Sequence, residues 1–149
     1  MTGAHVKYRM ALALIGATFA ASAAYARDTI RDYPIDSALK SEEGKLDDGV
    51  ALYFGDQPHP RVMKSYGTFA TNKKTNAFGK SDEAACQHVF LSAVIELQAR
   101  ARKEGGNAVV GIKSNYRNVS RSSPSEYTCG AGAVVAGAAL TGEVVTLKQ

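Results

Sequence analysis

The sequence predicts an α+β domain in which a small antiparallel sheet of about four to five strands packs against one main helix. Three observations lead to this fold class. Residues 81–104 carry the strongest helical periodicity, short apolar runs bounded by Gly and Pro lie on both sides of them, and there is no internal repeat. The predicted order of elements is strand, strand, helix, strand, strand.

The main helix is predicted to begin after Ser81 and to end at Gly105. Serine is a preferred N-cap residue, and Asp82 and Glu83 place negative charge in the first turn, where the helix dipole favours it. Glycine is the commonest residue just beyond a helix. Apolar residues at steps of three and four are expected to form its buried stripe: Cys86, Phe90, Ala93, Val94, Leu97 and Ala101.

Two strands are predicted before the helix. Residues 49–55 form a compact apolar run between glycines, and residues 62–71 follow a loop that contains two prolines. Residues 72–79 are polar and are expected to connect the second strand to the helix.

After the helix, residues 107–119 are predicted as one strand with Val110, Ile112 and Tyr116 on the same side. The Gly- and Ala-rich residues 127–139 are expected to pair back as another buried strand, and residues 143–147 are a candidate last strand. Small side chains in this region would let the helix pack closely against the sheet.

Residues 1–26 are predicted to be a signal peptide. Lys7 and Arg9 precede an apolar run of about a dozen residues, and the motif at residues 24–26 has the small-x-small form of a cleavage site. The alternative is a membrane-spanning helix, for which the run is shorter than the ~20 residues required. Residues 27–149 then form a single domain, which is not expected to span a membrane after cleavage.

The lead-in, residues 27–47, is expected to be irregular, with a short helix capped by Asp36 or Ser37 and stopped by Gly44. Lys7 and Arg9 leave with the signal peptide, so the formal net charge falls from +4 to +2. So small an excess gives little support to nucleic-acid binding.

The chain has two cysteines, Cys86 and Cys129. An even number of cysteines in an exported protein favours a disulfide. Closing this loop would stabilise the fold by at most ~4 kcal/mol on the chain-entropy model. The alternative is a metal site with His88 and His59, but on a helix Cys86 and His88 would point roughly 200° apart.

A Gly-Lys-Ser triplet at residues 79–81 resembles the end of a phosphate loop. Such a loop needs a glycine five residues before the Gly-Lys pair, and that position is Lys74. A dinucleotide motif begun at Gly130 has Val135 where its third glycine should be. Ser81 is therefore interpreted as a helix cap, and no nucleotide, cofactor, metal or catalytic set is predicted.

A resemblance that extends over nearly the whole of residues 27–149 is carried by five segments: Y53-F-G-D-Q-P-H-P60, T71-N-K-K-T-N76, S81-D-E-A-A-C86, E104-G-G-N-A-V-V-G-I112 and Y127-T-C-G-A-G-A-V-V-A-G-A-A-L140. They resemble a family of small exported bacterial proteins of uncharacterised role. Members are sometimes labelled as an excinuclease ATPase subunit, although these residues contain neither an ATP site nor zinc-finger cysteines.

A more distant pattern runs from the helix through Asn107-Ala108 and a strand to Cys129 and its small neighbours. This pattern is similar to the RcsF envelope-stress lipoproteins and to YbjQ-type domains. The similarity implies a small α+β domain and, from the RcsF group, a disulfide between a helix cysteine and a late strand, here Cys86 with Cys129.

The function favoured by the sequence is a non-enzymatic binding or envelope-associated module of the periplasm, with an unidentified protein or envelope component as its partner. The expected interaction surface consists of loop residues: Asp56, His59, Arg61, Lys73, Lys74 and Lys80. The second hypothesis is a redox- or metal-responsive sensor that uses the two cysteines. An ATPase or DNA-repair subunit is the third.

Overall fold

The computed structural model describes residues 27–149, and the predicted signal peptide lies outside them. The fold is α+β, as predicted, with a curled sheet and two α-helices. The elements are β1 (Asp28–Pro34), α1 (Ile35–Ser41), β2 (Ala51–Phe54), β3 (Val62–Asn76), α2 (Asp82–Glu104), β4 (Ala108–Ser114), β5 (Glu126–Gly132) and β6 (Val135–Leu147). Short 3-10 turns lie at Glu43–Lys45 and Tyr116–Asn118.

Helix α2 has the ends that the sequence predicts. The Ser81 hydroxyl oxygen accepts a hydrogen bond of 3.1 Å from the backbone N–H of Ala84, and Gly105 has a left-handed φ of 87°. A left-handed residue is reached at little cost only by glycine, so this position ends the helix. All six residues of the predicted apolar stripe are buried.

Strand β6 is the centre of the sheet. Along one edge it pairs antiparallel with the whole of β3, and along the other it pairs with β5 near its start and with β4 further on. β1 then pairs with β5, and β2 with β4. Strands β3, β4 and β5 therefore pair with β6 directly, whereas β1 and β2 join the sheet through β5 and β4.

The predicted antiparallel arrangement is wrong at one pair. β2 runs parallel to β4, with Ala51 opposite Ala108, so the sheet is mixed. A parallel pair needs a long connection, and here β3 and α2 together supply it. The predicted order of elements does not distinguish this pairing from an antiparallel one.

Two strands differ from the prediction because their sequence signals are weak. β1 lies in the lead-in that was expected to be irregular, and as an edge strand of mostly exposed residues it lacks an apolar alternation. The predicted strand 127–139 is two strands, β5 and β6, joined by a turn at Ala133 and Val134. Neither residue is a typical turn former, so the Gly- and Ala-rich run conceals the hairpin.

The predicted cap of α1 is also wrong, although its helix is confirmed. Pro34 occupies the N-cap position, no side chain caps the helix, and the Ser37 hydroxyl instead donates to the Pro34 carbonyl at 3.1 Å. The backbone N–H of Ile35, at the start of the helix, donates to the Ser125 carbonyl. A tertiary contact thus satisfies a backbone N–H at the start of the helix, where a local side-chain cap was predicted.

Strands β3 and β4 also have different limits from those predicted. β3 continues to Asn76, through residues expected to be a loop, because an edge strand tolerates polar side chains. β4 ends at Ser114, and a register shift around Gly111, whose φ is 59°, turns Val110 and Ile112 to opposite faces. Tyr116 therefore does not continue the same strand face.

The main core lies between α2 and one face of the sheet. Phe90 of α2 stacks on Tyr127 of β5 with ring centroids 3.9 Å apart, and both side chains are almost completely buried. Burial in this aromatic cluster raises the pKa of the Tyr127 hydroxyl far above its usual range. We call the opposite side of the sheet the helix-free face, since neither described helix packs on it.

The residues before β2 are held against α2 by polar contacts. Buried Gln98 accepts from the backbone N–H of Asp47 at 2.9 Å and donates to the carbonyls of Asp47 and Val50. Arg102 donates to both carboxylate oxygens of Asp47. This guanidinium, with the backbone N–H of Gly49, lowers the pKa of Asp47 to about 2.

We expect the Asp47 carboxylate to make stability depend on pH in the acid range. Its folded pKa lies below the unfolded value, so its contribution is complete above about pH 4 and is lost as the pH falls towards about 2. The melting temperature of Asp47→Asn should therefore lie below that of the unaltered protein at about pH 5, and the gap should narrow near pH 2. A gap that stays constant between these two pH values would contradict the prediction.

Candidate functional site

The disulfide between Cys86 and Cys129 confirms the pairing that the sequence suggests. It joins α2 to β5 with an S–S distance of 2.04 Å and a Cα–Cα distance of 5.9 Å, and both residues are 0% exposed. His88 lies on the outside of α2, with Nδ1 3.3 Å from a carboxylate oxygen of Glu42. No group of three His, Cys, Asp or Glu side chains within residues 27–149 is placed to hold a metal ion.

The structure does not bring the predicted interaction residues together. Asp56, His59 and Arg61 precede β3, whereas Lys73 and Lys74 lie near its far end. Residues 62–72 of β3 separate the two groups. They therefore belong to two different surfaces.

The loop before β3 is an exposed connection tied down by backbone bonds. The Arg61 carbonyl accepts from the N–H of Lys148 at 2.9 Å, and the Gly55 N–H donates to the Ile112 carbonyl at 2.8 Å. The His59 ring meets Tyr53 edge-on, with centroids 5.5 Å apart. The Asp56 side chain is exposed.

Lys73, Lys74 and Lys80 also occupy different environments. The Lys73 ammonium pairs with Glu96 of α2, on the helix side of the sheet. Lys74 points to the helix-free face, where its register partner is Gly137. The N–H of Lys80 donates to the Ala77 carbonyl at 3.1 Å, within the turn that leads into α2.

A cleft of about 520 Å³ opens on the helix-free face, where β3, β5 and β6 meet the turn after β4. Gly130 and Gly137 lie on its floor, and the phenol ring of Tyr116 packs directly against them. A Cβ at Gly130 would overlap that ring, so glycine is required for the contact. Exposed Val134 and Val135 form an apolar part of the lining.

The cleft is lined by three cations and one carboxylate. Arg27 is paired with Asp82 at 2.7 Å, outside the lining, and Arg117 is paired with Asp28 within it. The Arg27 guanidinium lowers the pKa of Asp82. Lys74 makes no ion pair within the described part of the chain, so its charge is available to a ligand.

The chemistry offered by the lining is that of binding. Lys74 supplies an ammonium group, Asn72 an amide and Tyr116 a phenol hydroxyl, all of which can donate hydrogen bonds to acidic oxygens. The lining contains no Ser, Cys or His, so it does not bring a hydroxyl or thiol nucleophile next to an imidazole base.

Among the cations and the tyrosine that line the cleft, only Lys74 was predicted from the sequence to belong to an interaction surface. Tyr116 and Arg117 were assigned to a continuous strand, but Arg117 and Asn118 have left-handed φ values of 53° and 62° and form a turn. The asparagines at positions 115 and 118 were the sequence signal for this turn, because Asn tolerates a left-handed φ better than most residues. Arg27 was missed because it precedes the undetected strand β1.

Comparisons of the chain with protein-family models, with curated proteins and with solved structures found no match. The resemblances described above therefore remain predictions. Within residues 27–149, neither helix combines the length and the apolar character needed to cross a membrane.

Proposed function

We propose that this protein is a non-enzymatic binding module of the periplasm or cell envelope that takes an acidic group of its partner into the cleft on the helix-free face. The observation that supports the proposal most strongly is the position and ion-pairing state of Lys74. This lysine has no ion-pair partner among the described residues, and it lies beside two arginines and the glycine floor of an open cleft. Carboxylates and phosphates are the groups that such a set of donors binds best.

The proposed location rests on two independent features. The sequence of residues 1–26 has the form of a signal peptide. The Cys86–Cys129 disulfide is a bond that persists in oxidising compartments such as the periplasm. The resemblance to small exported bacterial proteins supports the same location.

A redox-sensing role is the alternative proposal, since the RcsF-type resemblance implies a disulfide at this position. Thiol–disulfide exchange requires access of the attacking thiolate to a sulfur atom. Both cysteines are 0% exposed, which favours a structural disulfide over a redox-active one. An ATPase or DNA-repair role has the least support, because the Lys80 N–H is bonded within its own turn instead of being free to bind phosphate.

We expect Lys74→Glu to weaken the binding of acidic probes at the cleft. Titration of the protein with inorganic phosphate or citrate should shift the amide NMR signals of Tyr116, Gly130 and Gly137. The charge reversal should raise the dissociation constant about tenfold or more, because an attraction becomes a repulsion. The matched control is Lys113→Glu, which reverses an exposed lysine on the same sheet face outside the cleft lining.

Two outcomes would contradict this binding site. One is the absence of any shift at the cleft amides at a probe concentration of about 10 mM, where even weak sites are occupied. The other is an equal loss of affinity in Lys74→Glu and Lys113→Glu, which would indicate a general effect of charge.

A further inference from the structure

Strand β3 has one edge that no described strand covers. It pairs with β6 along one side over its full length of 15 residues, and it has no other strand partner within residues 27–149. The backbone N–H and C=O groups on the other side therefore form a row that an extended chain can pair with. Long free edges of this kind are a recurring site of peptide recognition.

The two flanks of this edge are protected against strand addition, but its centre is not. Shifts in register interrupt the pairing with β6 near Val62 and again near Ser65, and Lys64, Lys73 and Lys74 place charges on both flanks. Residues 68–72 pair with β6 without interruption and carry no charged side chain. The centre thus lacks the devices that usually keep an edge from binding another strand.

Helix α2 forms a groove beside this unprotected centre. The groove has a volume of about 230 Å³ and lies between Phe69 to Thr71 of β3 and the outer side of α2. Phe69 and the exposed methyl group of Ala99 are apolar parts of its lining, and the lining also includes Leu97, which is fully buried. An apolar side chain of moderate size fits such a space, as in domains that bind a peptide between a helix and a sheet edge.

The rim of the groove is more positive than negative. Arg100 lies over the Phe69 ring, 3.9 Å from its centroid, and is paired with Glu104 at 2.8 Å. Glu96 is paired with Lys73. Lys103 lines the groove and makes no ion pair within the described residues, so it is the cation left for a partner.

We propose that an extended, acidic segment of a partner protein adds to the free edge of β3 at residues 68–72 and inserts an apolar side chain into the groove beside Ala99. The backbone of the segment pairs with β3, its alternate side chains face α2, and its carboxylates lie near Lys103. The groove lies on the helix side of the sheet and the cleft on the helix-free face, and Asn72 is the residue of 68–72 that also lines the cleft.

A second copy of this chain fits the edge less well than an acidic segment. If two copies paired antiparallel about a two-fold axis at Phe69, Lys64 of one copy would lie opposite Lys74 of the other. If the axis lay between Thr68 and Phe69, Lys64 would lie opposite Lys73 of the other copy. Like charges directly opposite each other destabilise a strand pair. Negative side chains on the incoming strand remove this repulsion.

The test uses a synthetic peptide that alternates two kinds of side chain. The probe is a fluorescent nine-residue peptide, Glu-Thr-Val-Thr-Val-Thr-Val-Thr-Glu, whose valines share one face of an extended strand. We expect saturable binding in fluorescence anisotropy with a dissociation constant below about 1 mM. Hydrogen exchange at the amides of residues 68–72 should slow when the peptide is bound.

Three controls separate strand addition from other modes of binding. The variant Ala99→Phe fills the groove and should weaken binding about tenfold, whereas Ala84→Phe makes the same change at an exposed alanine of α2 outside the groove lining and should have no effect. A peptide N-methylated at every residue from the second to the eighth has both of its edges blocked, so it cannot pair with the backbone of β3 and should not bind. A probe with Lys in place of both Glu residues should bind more weakly.

The proposal is overturned if no saturable binding occurs, or if Ala99→Phe and the N-methylated peptide behave like their unaltered counterparts. Slowed exchange at the cleft residues Tyr116, Gly130 and Gly137 in place of residues 68–72 would also contradict it. A dimer in sedimentation analysis that Ala99→Phe dissociates would show that the edge binds a second copy instead. Failure of this test leaves the phosphate and citrate titration of the cleft unaffected, because the two use different faces and different probes.

Discussion

Replacing Cys86 and Cys129 together with alanine is expected to lower the free energy of unfolding by about 4 kcal/mol, because the disulfide closes a long loop and its loss frees the unfolded chain. For a domain of this size, each kcal/mol corresponds to roughly 4 °C, so the melting temperature should fall by about 15 °C. Both cysteines lie in the core, so loss of packing around the two sulfur atoms acts in the same direction.

Differential scanning calorimetry of the unaltered and doubly substituted proteins, each with and without a reducing agent, measures this effect. Reduction should lower the melting temperature of the unaltered protein by a similar amount and leave the double variant unchanged. A double variant that melts within about 2 °C of the unaltered protein would contradict a structural role. If such a variant also lost a redox-dependent response, the sensor proposal would be preferred.

Replacing Phe90 with alanine is expected to destabilise the protein by about 3–5 kcal/mol. The Phe90 ring is 0% exposed, stacks on Tyr127 and lies 5.9 Å from the ring of Phe54, centroid to centroid. Deleting the ring removes contacts with two elements of the sheet and leaves a cavity that rigid neighbours cannot fill. The measurement is denaturant-induced unfolding followed by circular dichroism.

The chain offers a matched control for this substitution. Phe78 lies in the turn before α2 and is 75% exposed, so Phe78→Ala removes the same atoms from a position that makes little contact. Its effect should lie within about 0.5 kcal/mol of zero. An equal loss of unfolding free energy in Phe90→Ala and Phe78→Ala would show that the aromatic cluster does not dominate the stability of the core.

Local signals in the sequence were sufficient to predict α2. A cap at Ser81, a stop at Gly105 and apolar residues at helical spacing all concern residues close together in the chain. The disulfide also followed from local information, because two cysteines allow only one intramolecular pair. β2 and the first part of β3 were detected for the same reason, since glycines and prolines bound them.

Features that depend on distant residues were not predictable in this way. The pairing of β2 with β4 and the central place of β6 are choices among strands far apart in the chain, and periodicity does not rank such choices. The cleft combines Arg27, Lys74 and Tyr116 from three distant parts of the chain, and Tyr116 is followed by two residues with left-handed φ. A single sequence shows the residues but not which of them meet.

The position of β6 in the chain has a consequence for the order of assembly. It is the strand that joins the sheet together, and it is made after the other five. As the chain emerges in sequence order from a ribosome or an export channel, β3, β4 and β5 therefore have no strand that links them until residues 135–147 arrive. Pairings between β6 and β3 close loops of more than 50 residues, which are slow to form. The sheet of such a chain cannot be completed until its last strand has emerged.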